Sequence, residues 1–233
     1  MKVPYFSFEI AFTPQVNFSD DFRKLMAPFV KMCKRVTHEN KYGGNEKIEL
    51  EFENGEVLFV TWNALVCTCH TDHQKQLERH SIMDSVFFPI WDKISDLDTV
   101  LNETGHRMHV VVVENDSAKK KIEEKQHVKD LMMKLLVDAK DDLFSQNTDF
   151  GITLQNDENP RSEIMFGPYL GTKDLARRNI PFSKVTLEDY NELGLIAEIK
   201  VMDRSNKINF KAFQEQYKRV EKIREDLWKA FNK

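Results

Sequence analysis

The sequence predicts an α+β fold: a mostly antiparallel sheet with helices packed on one face, two similarly ordered halves and a long C-terminal helix. Three observations carry this prediction. In KIELEFENGEVLFVTW two alternating apolar runs flank Asn54-Gly55, the pattern of an antiparallel hairpin. Val110 to Val113 form a short continuous apolar run, which suits a strand in the interior of a sheet. In the last segment Phe210, Phe213, Tyr217, Val220, Leu227 and Phe231 recur at helical spacing and form one face.

Taken in order, residues 3–12 read as a first strand, rich in aromatics at Tyr5, Phe6, Phe8 and Phe12 and stopped by Thr13-Pro14. Ser19 or Asp20 caps a helix to about Val36, with Phe22, Leu25, Met26, Phe29, Val30 and Cys33 on one side. Pro28 lies within that pattern and should kink or split it. THENKYGGNEK reads as a polar loop. Residues 47–53 and 56–62 then pair through a type I′ turn at Asn54-Gly55, and Leu65 to Cys69 add a third strand. Leu77, Ile82, Val86, Ile90, Ile94 and Leu97 have helical spacing, again with an internal proline, Pro89. HRMHVVVVEND follows as a strand. A long helix begins near Ser117, with Leu131, Leu135 and Leu143 on its apolar side. DFGITLQND, RSEIMFG and LGLIAEIKVMD make a second strand-rich block ahead of the terminal helix.

The order β-α-βββ-α-β followed by α-ββ-(α)-β-α gives one domain over 1–233 with pseudo-halves 1–115 and 116–233. No Gly/Ser/Pro-rich linker separates them. With 233 residues, 41% of them hydrophobic and 31% charged, the chain has the composition of a globular protein and can bury a sizeable core without disulfides. A net charge of −4 argues against a nucleic-acid-binding surface, which needs a strongly basic face. No apolar run reaches the ~18 residues of a membrane span. Glu9 interrupts the apolar N-terminal stretch, so no signal peptide is expected. Three cysteines, an odd number, point to a reducing cytoplasm.

Cys67 to His80, CTCHTDHQKQLERH, concentrates potential metal ligands. Cys67, Cys69, His70 and His73 are the candidates for zinc. Two thiolates on one zinc lie roughly 3.8 Å apart, since Zn–S is near 2.3 Å. At i and i+2 on a regular strand, Cys67 and Cys69 share a face but stand about 6.6 Å apart. His70 would point to the other face, and His73 and His80 are two helical turns apart, roughly 10 Å. Paired C-x2-C and H-x3-5-H spacings are absent. Leu65, Cys67 and Cys69 are therefore expected to form an apolar strand face, with no cofactor.

FGPYLG, Phe166 to Gly171, reads as a turn, because Gly-Pro and Gly bracket an aromatic. Phe166, Gly167, Tyr169 and Arg177 are the candidate ligand-binding residues, since binding groups concentrate on loops held by a rigid scaffold. His106 and His109 face opposite sides of their strand and form no pair. Phosphate-loop, dinucleotide, nucleophile-elbow and H-E-x-x-H motifs are all missing.

The hairpin FENGEVLFVTW followed by a helix and strand, and LIAEIKVMD leading to the YKRVEKIREDLWKAF helix, resemble a sporadically distributed family of uncharacterised prokaryotic proteins of similar length. About half of the chain takes part, by pattern and not by any diagnostic motif, so the resemblance implies a fold and a general role. That role is an accessory or interaction protein of a mobile or defence-type gene cluster. The expectation from the residues agrees: a non-enzymatic protein that contacts a partner, or itself, through the wide apolar face of its C-terminal helix. The alternative is an enzyme or small-ligand binder, metal-dependent or not, with a pocket between the halves.

Overall fold

A computed structural model of the chain describes residues 2–15, 18–39, 46–70, 73–97, 105–114, 151–170, 173, 193–204 and 208–231. The strands are β1 (Lys2–Ala11), β2 (Arg35–Glu39), β3 (Lys47–Glu51), β4 (Val57–Thr61), β5 (Ala64–Cys69), β6 (Gly105–Glu114), β7 (Ile152–Gln155), β8 (Arg161–Leu170) and β9 (Leu193–Asp203). Among the described residues the α-helices are α1 (Phe18–Met26), α2 (Phe88–Ser95) and α3 (Phe210–Phe231). All nine strands join one sheet in the order β2-β3-β4-β5-β1-β6-β9-β8-β7. Antiparallel registers run through β2/β3, β3/β4, β4/β5, β5/β1 and β7/β8, as the predicted α+β class requires. The long helix predicted after Ser117 lies outside the described residues.

Two compact units share the chain. One comprises Phe6–His109 and Val201–Lys218; the other takes Met1–Tyr5, Val110–Lys200 and Arg219–Lys233. In the first, the registers Phe6↔Cys69, Phe8↔Cys67 and Ile10↔Leu65 set six apolar side chains on one sheet face, and Leu58 pairs with Cys67 from the other side. All seven are 0–1% exposed. Phe8 meets Phe87 at 5.6 Å and Phe213 of α3 at 5.0 Å, both edge-on, the arrangement aromatic quadrupoles favour. Full burial of each such side chain contributes about 1.5–3 kcal/mol, so these strands and helices hold together by packing. Trp91 of α2 adds direction by donating its indole N–H to the Ile208 carbonyl at 3.1 Å. The second unit has its own cluster of Tyr5, Val111, Val113, Tyr169 and Ile196.

Several local expectations change. Gly55 has φ +84°, while Asn54 is not among the positive-φ residues, so the hairpin turn is not type I′. The N–H of Gly55 bonds to the Phe52 carbonyl at 3.1 Å, and that of Phe52 bonds to the Glu56 carbonyl at 2.9 Å. This is a turn closed by one left-handed glycine, which adds a bulge and lets the strands keep their twist. The first helix is shorter than its apolar spacing implies. Pro28 ends α1, Ala27–Met32 tighten into a 3-10 turn, and Arg35–Glu39 leave the helix to pair with β3. The segment read as a polar loop thus begins in a strand.

Pro89 has a comparable effect. Ahead of it Met83–Phe87 widen into a π-helical turn, with the Phe88 N–H bonded to the Met83 carbonyl. A wider turn accommodates a ring that has no N–H to give. FGPYLG is not a turn: Phe166 to Leu170 continue β8. β7 pairs with Glu163–Phe166, so this register ends before Pro168, which cannot donate to a ladder.

Candidate functional site

The stretch from His73 to Ile82 does not form the continuous helix that its apolar spacing implies. His73–Leu77 make a 3-10 turn, and the chain bends through His80, whose φ of 65° is in the left-handed region. Helical structure resumes at Ile82. Ser81 caps that start: its Oγ accepts from the Asp84 N–H at 3.2 Å and donates to the Gln76 carbonyl at 3.1 Å. Asp84 returns a carboxylate oxygen to the His80 N–H at 2.8 Å, a reciprocal cap. From α3, Gln214 Nε2 holds the Leu77 carbonyl at 2.9 Å. These bonds fix the backbone on both sides of Gln76.

Opposite lies the β3–β4 hairpin. Glu56 precedes Leu58 by two residues and shares its inward face, so its carboxylate enters the protein instead of the solvent. Glu56 is 4% exposed and Gln76 1%. Gln76 Nε2 donates to Glu56 Oε1 at 2.9 Å. Two acceptors are left over: Glu56 Oε2 and Gln76 Oε1 are buried and have no hydrogen-bond donor. A buried acceptor without a donor costs about 1–3 kcal/mol, more when it is charged. Both side chains line an open cleft of about 520 Å³ together with Asn54, Lys75, Glu78, Arg79, His80, Ser81 and Ile82.

Neighbouring chemistry is muted. Cys67 and Cys69 are 0% and 1% exposed on the inner face of β5, as the alternation of the strand implies. Burial pushes the Cys67 thiol well above its ordinary range, and the charges of Cys69 and Glu56 push it the same way. The Cys67 sulfur is therefore not primed as a nucleophile. His70 follows the strand half-buried, and His73 stacks on Phe6 at 6.4 Å and lies 5.9 Å from Tyr217. Among the described residues no three His, Cys, Asp or Glu side chains are placed to hold a metal ion.

A second cleft, about 510 Å³, opens where β1, β6 and β9 end, lined by Glu9, Ala11, Gly105, His106, Arg107, Met202, Asp203 and Arg204. Arg107 and Glu9 pair across β1 and β6 at 2.6 Å. His106 is 3% exposed, beside Phe8 at 5.6 Å, with no hydrogen bond to Nδ1. Burial holds this imidazole below its ordinary value, and Asp203 pulls it partly back. Both clefts lie within the Phe6–His109 and Val201–Lys218 unit.

Of the residues predicted from FGPYLG, Phe166 and Tyr169 are 5% and 0% exposed in β8, and Gly167 is buried between them. They are strand and core positions and not a loop. Arg177 lies outside the described residues. Glu56 was legible in principle, because it has the same parity as Leu58 and Val60 in the hairpin. Gln76 had no signal, being one glutamine in a polar run.

No family model matches the chain, and neither a curated protein nor a solved structure matches it significantly.

Proposed function

We propose that this protein binds a small polar ligand in the cleft floored by Glu56 and Gln76. The observation that carries the reading is an open cleft lined by the charged residues Lys75, Glu78 and Arg79, behind which Glu56 Oε2 and Gln76 Oε1 are buried without donors. Buried polar groups are normally satisfied, and an exception beside a cavity marks a place that packing alone does not explain. The strained backbone at His80, on the rim, supports the same reading. A thermal-shift screen with metabolites tests it. A ligand at one hundred times its dissociation constant adds about 2.7 kcal/mol to stability, and Glu56→Gln should abolish that gain. A screen in which no compound class raises the melting temperature removes the reading.

A second reading, the accessory or interaction protein of a prokaryotic mobile or defence-type gene cluster, is favoured by a different surface. Val30, Met32 and Val36 are 43%, 49% and 42% exposed beside β2, at one end of the sheet order. Unpaired strand edges with exposed apolar side chains are sites where other chains add. The predicted contact through α3 has less to offer, because Phe213, Tyr217, Val220 and Leu227 are buried, and among the described larger apolar residues Phe210, Ile223 and Trp228 are half-exposed. Light scattering decides self-association, and Val36→Lys should abolish it if the β2 edge is used. Three free thiols support a reducing, cytoplasmic setting for either reading. Among the described residues no helix is long and apolar enough to cross a membrane.

A further inference from the structure

β2 ends the sheet order, so among the described residues no strand pairs with the side of β2 that faces away from β3. Register and one hydrogen bond show which backbone groups that side carries. Phe52, which stands opposite Glu56 when the β3/β4 register is continued, donates its N–H to the Glu56 carbonyl at 2.9 Å. Backbone groups alternate in direction along a strand, so Ile48 and Leu50 turn theirs to β4, while Lys47, Glu49 and Glu51 turn theirs to β2. The Glu51 carbonyl does accept from that side, from the Lys34 N–H at 2.8 Å. Glu39, Thr37 and Arg35 stand opposite these three and turn their own groups to β3. Val36 and His38 therefore direct their N–H and C=O groups outward, two donors and two acceptors on the open edge. No proline interrupts RVTHE, and Arg35 and Glu39, of opposite sign, stand at its two ends.

We propose that the occupant of this edge is a second copy of the chain, β2 pairing antiparallel with β2 about a two-fold axis at Thr37. This inference rests on the reading of the β2 edge as an interaction surface and adds the partner and the register. With Thr37 opposite Thr37 of the second copy, Val36 stands opposite His38, and the outward groups of both strands meet in about four N–H···O=C bonds. The same register sets Arg35 opposite Glu39 of the other copy, once on each side of the axis, at positions without backbone bonds, where side chains approach most closely. Arg35 has a 65% exposed side chain and meets Glu51 through Nε at 3.0 Å, so its guanidinium keeps further N–H donors for a second carboxylate. A slip of two residues either way sets Thr37 opposite Arg35 or Glu39, and the opposite charges no longer face each other. Val36, 42% exposed at the edge, becomes an interior position of the joined sheet.

The test measures the mass of the full chain by sedimentation over a range of concentrations. Two five-residue strands make a small interface, so a weak, concentration-dependent dimer is expected. Arg35→Glu sets like charges opposite each other on both sides of the axis, and so does Glu39→Arg; each variant alone should dimerise about tenfold more weakly or worse, with unchanged circular dichroism confirming that it folds. An equimolar mixture of the two restores both opposite-charge pairs and should regain the wild-type affinity, which no loss of folding in either variant can imitate. Register is read by cross-linking in a Cys33→Ser background. Thr37→Cys, on the axis, should oxidise to a covalent dimer, whereas Val36→Cys, two positions away from its own copy, should link poorly. A dimer that forms with Arg35→Glu unimpaired and Thr37→Cys unlinked would overturn the pairing. A monomer at every concentration would overturn it too. Capture of a different protein from the cell, lost in Val36→Lys, would then keep the interaction reading of the edge without the second copy; with no such capture, both fail.

Discussion

Gln76 and Glu56, 20 residues apart, are joined side chain to side chain at 2.9 Å inside the protein. The bond is worth less than the penalty for breaking it on one side. Gln76→Leu leaves a buried carboxylate without its donor and should cost about 1.5–3 kcal/mol, the range for hydrogen bonds to charged groups. Glu56→Leu strands an amide instead and should cost less. The double variant Glu56→Leu/Gln76→Leu should be more stable than the sum of the single effects implies, because no polar group is left unmet. Urea denaturation of the four proteins gives the coupling directly, and strict additivity would show that the two side chains act independently.

His106 makes stability depend on pH. Burial holds its folded value below the ordinary 6.5. In acid the unfolded chain therefore binds a proton that the folded chain resists, so the unfolded state carries more protons. Stability then rises with pH. The contribution is complete above the unfolded value and is lost as pH falls through the folded one. Wild-type urea midpoints should drop as pH falls below about 6.5, and His106→Leu should flatten part of that drop. Parallel curves for the two proteins would mean that His106 titrates alike in both states.

Gly55 is held at φ +84° with nothing within 4 Å of where a Cβ would stand. Any penalty for a side chain there comes from backbone conformation and not from crowding. Gly55→Ala should cost about 1–2 kcal/mol, and Asn, which tolerates the left-handed region, distinctly less. Equal stability of the Ala and Asn variants in a thermal melt would contradict this account of the turn.

The three thiols should divide by access. Cys67 and Cys69 are buried in β5, while Cys33 is half-buried and points its Sγ–H at the Phe29 carbonyl, 3.3 Å away. Burial also raises the Cys33 thiol. Titration of the native protein with a disulfide reagent should label Cys33 slowly and leave the β5 pair silent; in denaturant all three should react. Rapid labelling of Cys67 in the native state would show that β5 opens.

Periodicity by itself determined most of the strands, the antiparallel pairing of β3 with β4 and the terminal helix, but not β2 or the end of β8, because the two faces of a strand or helix are written into alternate or every third and fourth residue. It also placed Leu65, Cys67 and Cys69 on one apolar face, as the register with Phe6, Phe8 and Ile10 shows. Pro28 splits the first helical pattern as expected, but the outcomes at the other two prolines were not legible: Pro89 widens a helix, and Pro168 sits in a strand where a turn was expected. Each depends on which backbone acceptor would otherwise need an N–H. The cleft was decided by tertiary structure alone. Glu56 and Gln76 belong to different elements, each unremarkable among polar neighbours. Only the packing of the hairpin against the His73–Leu77 turn buries them together, and burial is what turns two ordinary polar side chains into unmet acceptors.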